Sequence, residues 1–185
     1  MTYKFRISLP GIKGFARIYE VNGNNSLYHF HKQMLYDMDF PQDQVVLFKA
    51  FDAKDNVVAR FATIDLGFGS IEHILAGQAV ASGIVRFEYF YDTTNKKSVI
   101  ITLEEENPKG TQTKPTLIES KGPNPEEFLN GYVAFEDLPP EKQRRLENPD
   151  EDDEDIDTDG FDNDDEDEVE DEDFEEKYPD EDENV

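Results

Sequence analysis

No cysteine occurs in the 185 residues. That absence excludes disulfides, thiolate nucleophiles and cysteine-based zinc or iron–sulfur sites together. Tryptophan is missing too, and histidine occurs only as His29, His31 and His73. His29 and His31 lie two apart, so on a helix they face different ways and cannot chelate one zinc as an i, i+4 pair would. All three read as structural histidines. No run approaches the roughly 18 apolar residues of a membrane span. The start, Met1-Thr2-Tyr3-Lys4-Phe5-Arg6, lacks the apolar stretch of a signal peptide. Together these absences predict a cytoplasmic protein.

Basic residues are scarce in one place above all. Residues 147–185 hold 25 Asp and Glu against one base, Lys177. The remainder, 1–146, carries 19 acids and 17 bases, so almost all of the net charge of −26 belongs to the last 39 residues. Apolar residues there are few: Ile156, Phe161, Val169, Phe174, Tyr178 and Val185. They cannot bury enough surface to offset backbone entropy, so 147–185 is expected to be a disordered polyacidic tail. Dense carboxylates also repel nucleic acid and anionic membranes. They suit a basic protein partner, or a nucleic-acid-binding protein whose DNA or RNA the tail would mimic. Direct binding of nucleic acid or membrane is excluded on the same ground. Nothing in the residues fixes the oligomeric state.

The body alternates in the way strands do. Tyr3, Phe5, Ile7 and Leu9 interleave with Lys4, Arg6 and Ser8 and stop at Pro10-Gly11. A second strand over 15–21 ends at Asn22-Gly23, completing a hairpin. Ser26 is a helix cap, followed at helical spacing by Leu27, Phe30, Met34, Leu35 and Met38, with Pro41 as the stop. The apolar run within 44–52 predicts a central strand, and 57–62 returns beside it. Ser70 is expected to cap a short helix bearing Ile71, Ile74 and Leu75. Residues 86–92 and 98–104 form another hairpin, 116–119 a closing strand. Asn124-Pro125-Glu126-Glu127 has the cap, proline and acids of a helix start. The expected fold is α+β: a mostly antiparallel sheet with one main helix packed on it, in the order β-β-α-β-β-α-β-β. The compact domain covers 1–130, and 131–146 is a linker or short helix.

Scattered over about 125 positions of this body are residues that resemble the plasmid pRiA open-reading-frame-three-like family, some of whose members are described as insertion-element passenger proteins. They are Leu9-Pro10-Gly11-Ile12, Arg17-Ile18-Tyr19-Glu20-Val21 and Leu27-Tyr28-His29-Phe30-His31. Phe48 and Phe51, the run 87–92, Leu103-Glu104 and Glu119-Ser120-Lys121-Gly122 continue the likeness. The family's Tyr-Asp-Phe-Gly-Asp run and following Trp stand here as Tyr91-Asp92 and then Thr93-Thr94-Asn95, without the Gly, the second Asp or the Trp. The resemblance implies an α+β fold and brings no established activity with it.

Three motifs carry candidate chemistry. Asp155, Asp157, Asp159, Asn163 and Glu166 fall at ligand positions of an EF-hand loop, with Gly160 at the sharp turn. Asp162 stands where that loop is normally apolar, and the flanks lack helical apolar stripes, so weak calcium binding is the most this pattern implies. No other cofactor is expected. Gly67-Phe68-Gly69-Ser70 could cradle a phosphate, but it lacks the Lys of a P-loop. Phe5-Arg6-Ile7-Ser8 resembles the strand bearing the nucleophile of serine recombinases, yet no arginine cluster accompanies it. The leading expectation is a non-enzymatic interaction protein: a folded domain that docks a protein partner, and a tail that engages basic surfaces. The alternatives are a calcium-binding protein, and a mobile-element accessory protein or enzyme with a phosphate site.

Overall fold

A computed structural model of the chain describes residues 1–147. The elements are β1 (Thr2–Leu9), β2 (Ile12–Asn22), α1 (Leu27–Asp37), β3 (Leu47–Phe51), β4 (Val57–Ala62) and α2 (Ala76–Ala81). Then come β5 (Arg86–Asp92), β6 (Lys97–Asn107), β7 (Thr116–Lys121), α3 (Pro125–Leu129), a 3-10 turn over Phe135–Asp137 and α4 (Pro140–Glu147). The fold is α+β. Its single sheet has seven strands in the order β4-β3-β5-β6-β1-β2-β7, and every pairing is antiparallel. β4 and β7 are therefore the two edges. Among the described residues, no helix is long and apolar enough to cross a membrane.

Alternation decides which face is buried. Tyr3, Phe5 and Ile7 of β1, and Phe48 and Ala50 of β3, point to one side and are buried there. α1 lies on that side. Its apolar stripe of Leu27, Phe30, Met34 and Leu35 is buried, and the Phe30 ring meets those of Phe5 and Tyr19 at 5.6 and 5.4 Å between centroids. Ser26 caps the helix by accepting from the His29 amide at 3.3 Å. The opposite face of the sheet carries ion pairs: Lys4–Glu105, Arg6–Glu104, Lys49–Glu88 and Arg86–Asp55. Such exposed pairs keep the face wet and add little stability.

One element differs from expectation. Residues 71–75 form a turn, not a helix, and the helix begins only at Ala76. The carbonyls of Ile71 and Ile74 are taken by α1, whose first amides, Tyr28 and Leu27, donate to them at 2.9 and 2.8 Å. Both carbonyls are spent on another segment rather than on the amides four residues on. The segment instead anchors the start of α1.

After α3 the chain folds back on β2. Ala134 is buried, and the Asp137 carboxylate accepts from the amides of Lys13 at 2.7 Å and Gly14 at 2.8 Å. Gln143 of α4 donates to the carbonyls of Phe135 and Leu138, both at 2.9 Å.

Candidate functional site

Polar groups inside this fold are mostly committed to holding it together. Arg17 lies on the core face of β2 and is only 3% exposed. Its two terminal nitrogens make five hydrogen bonds: to the carbonyls of Ala16, Lys121, Gly122 and Pro123, and to Asn124 Oδ1, over 2.6–3.1 Å. The guanidinium also sits 4.7 Å above the Phe15 ring centre. Burial lowers its pKa, with Tyr19 and Asp37 opposing that shift. A guanidinium spent on main-chain carbonyls has those donors occupied and is a clamp on the exit of β7, not an anion site. Beside it, burial first, and then the neighbouring Asp37 carboxylate, raises the pKa of the Tyr19 hydroxyl.

The altered turn between β5 and β6 is similarly closed. Asp92 accepts from the Asn95 amide at 2.9 Å and from Asn95 Nδ2 at 2.7 Å, and these bonds depress its pKa. Lys97 binds Glu126 of α3 at 2.9 and 3.0 Å. Tyr91 stacks on Phe40 at 3.8 Å between ring centres, and its pKa is pushed up to about 12 by burial, with help from Glu126 and Asp92.

At the glycine-rich loop, Asp65 accepts from the amides of Gly67 at 2.7 Å and Gly69 at 2.8 Å. These are the amides a phosphate would need, and a carboxylate already occupies them. An Asp two residues before the first glycine is the signal for such a turn. Ser70 bonds His73 Nδ1 at 2.9 Å and caps no helix. Ser8 sits on the polar side of β1, opposite Ile100.

His29 is exposed and His31 buried, so the two diverge as their spacing requires. His31 Nδ1 lies 2.7 Å from the Tyr89 hydroxyl. Burial, with a smaller effect of Lys32, drives its pKa from 6.5 down to about 4. The sign follows from linkage. The unfolded chain takes up a proton near 6.5 that the folded chain refuses until about 4, so stability falls as pH drops through this window. His31→Gln should remove up to roughly 3 kcal/mol of that pH dependence between pH 6.5 and 4. Urea melts of both chains at several pH values check it; parallel curves would show that His31 is not the titrating group.

Among the described residues, no group of three or more His, Asp and Glu side chains could hold a metal ion. Asp155, Asp157, Asp159, Asn163 and Glu166 lie outside the described residues.

What remains uncommitted is at the surface. A cavity of about 470 Å³ between α1 and the β6–β7 connection has Lys32 and Lys114 on its rim, beside His29. Along the outer strand β4 runs an apolar groove of about 380 Å³, lined by Ala59, Phe61, Phe68, Ile74, Ala79 and Ile84 among others. Of its lining Val58 and Phe68 stand exposed, Phe68 at 48%, and the neighbouring stretch of chain, β4 and the loop after it, exposes Val57, Ile64 (66%) and Leu66 as well. No single stretch of sequence announces this groove, because its walls come from β4, the 63–70 loop and α2.

A family model described as plasmid pRiA4b ORF-3-like protein matches residues 1–173. No curated protein matches the chain. Among solved structures, the crystal structure of a protein of unknown function from Methanosarcina mazei Go1 matches with a TM-score of 0.55 and 18% identity, covering 70% of this chain and 79% of that one. At such identity the likeness speaks for the fold alone.

Proposed function

We propose that the chain, which belongs to the plasmid pRiA4b ORF-3-like family, is a non-enzymatic interaction protein of the cytoplasm. Its folded unit docks a protein partner, and its acidic segment engages positive charge on that partner. The observation that carries this reading is the exposed apolar rim of β4. Large apolar side chains gathered at one edge mark an interaction surface far more often than a solvated one. The committed state of Arg17, Asp65, Asp92 and His31 supports it from the other side. Each is satisfied by the protein's own groups and has little left to offer a substrate. The lack of cysteine suits a reducing compartment.

The acidic segment gives the reading a quantitative test. A partner that displaces counterions from dense carboxylates binds more weakly as salt rises. Captured proteins should be basic, and the affinity of a captured partner should drop about a hundredfold between 50 and 200 mM salt. Deleting residues 147–185 should abolish the salt dependence and most of the binding. A truncated chain that retains full affinity would overturn the proposal.

A further inference from the structure

The outer strand β4 combines two features that select one kind of ligand. Among the described residues it pairs with β3 on one side only, and its far end alone is covered, where Ile71 donates to the Ala62 carbonyl at 2.9 Å. Residues 57–61 thus present an uncovered strand edge beside the apolar groove. A free edge is completed by extended main chain, which neither a small molecule nor a nucleic acid supplies.

Side-chain alternation then specifies what that main chain carries. Ala59 and Phe61 are buried toward the groove, whereas Arg60 between them is exposed on the opposite face. Arg60 lies across from Lys49 of β3, and Lys49 is already bound by Glu88 at 3.1 Å. Arg60 itself has no ion pair among the described residues. An added strand would put apolar side chains into the groove opposite Ala59 and Phe61 and one side chain against Arg60. Like charges directly opposite destabilise a strand pair and opposite charges stabilise it. A second copy of this chain fits poorly: it would crowd two unpaired Arg60 side chains onto one short stretch and bring together two chains of net charge −26.

We propose that β4 receives an extended segment of a partner protein as an eighth strand, with apolar residues flanking a single carboxylate that meets Arg60. This inference rests on reading the chain as an interaction protein and names the contact through which the folded unit acts. Outside that carboxylate the segment is basic, since the net charge of −26 disfavours the approach of an anionic chain.

The test uses the full chain and a labelled nine-residue peptide with lysines at its ends and Val-Glu-Val at its centre. The peptide is expected to bind and to slow amide exchange in residues 57–61. Arg60→Glu should weaken it about fivefold, and a Val-Lys-Val peptide should recover the loss on that variant. No protection of β4, or equal affinities of Arg60→Glu for both peptides, would overturn the site. So would a mass in solution that doubles with concentration while β4 becomes protected without peptide. Failure here leaves the tail-dependent capture of basic proteins standing. Conversely, β4 protection together with tail-independent capture would sink the broader reading and keep the site.

Discussion

Arg17→Leu should cost about 3–4 kcal/mol of stability, enough to lower the melting temperature by roughly 10 °C. The substitution keeps an apolar stem beside Phe15 and removes every donor. The carbonyls of Lys121, Gly122 and Pro123, and Asn124 Oδ1, would then lose the partner that gathers them into one turn. A buried acceptor without a donor costs more than a hydrogen bond is worth when made, because it has left water and gained nothing. Arg17→Lys should recover only part of the loss, since an ammonium lacks the planar fork that reaches two neighbouring carbonyls at once. The damage should be local first. Amides of β7 and α3 should exchange faster well before those of β5, because the clamp joins β2 to the exit of β7 and to the cap of α3. A Leu variant within 1 kcal/mol of the parent chain would mean that water replaces the guanidinium and that the clamp is dispensable.

Arg17 also marks where sequence reasoning stops. The strands over 3–9, 57–62 and 86–92 and the helix after Ser26 can be read directly, because each has one face in the core and a period to match. The alternation that makes Tyr3, Phe5 and Ile7 visible also puts Arg17 between Phe15 and Tyr19 on the buried side. A charged residue in that place signals a buried polar contact, but the carbonyls of Lys121, Gly122 and Pro123 that it binds lie more than 100 residues away in the chain. Residues 71–75 fail for the same reason. Their spacing is helical, but the carbonyls of Ile71 and Ile74 accept from the α1 amides of Tyr28 and Leu27, far off in the chain. The glycine-rich loop carries its own local signal, since Asp65 precedes Gly67 by two residues and competes locally for its amide. The β4 groove had no such signal. Val58, Phe68 and Ile74 are unremarkable apart, and become a surface only when the sheet ends at β4.

Gly14→Ala should cost about 3 kcal/mol, nearly all of it in one contact. A Cβ built at Gly14 would stand 2.0 Å from Ala134 Cβ and 2.9 Å from Asp137 Oδ2. Neither neighbour can turn aside: Ala134 has no side-chain torsion to spend, and Asp137 is held by the two amides it caps. The 3-10 turn must therefore lift off β2, breaking the Asp137 bonds to Lys13 and Gly14 and the Lys121–Glu136 pair with them. Removing the obstructing methyl should restore the fit. Ala134→Gly alone should cost about 1 kcal/mol, and combined with Gly14→Ala it should recover about 2 kcal/mol of the loss, a coupling large enough to separate direct contact from general disruption. Two-dimensional amide spectra supply the second readout. Shifts in Gly14→Ala should concentrate at the start of β2 and in residues 131–147, while the His31–Tyr89 contact beneath α1 stays unchanged. If the two substitutions instead proved additive, Ala134 would not be what Gly14 accommodates, and the packing of residues 131–147 against β2 would have to rest on Asp137 alone.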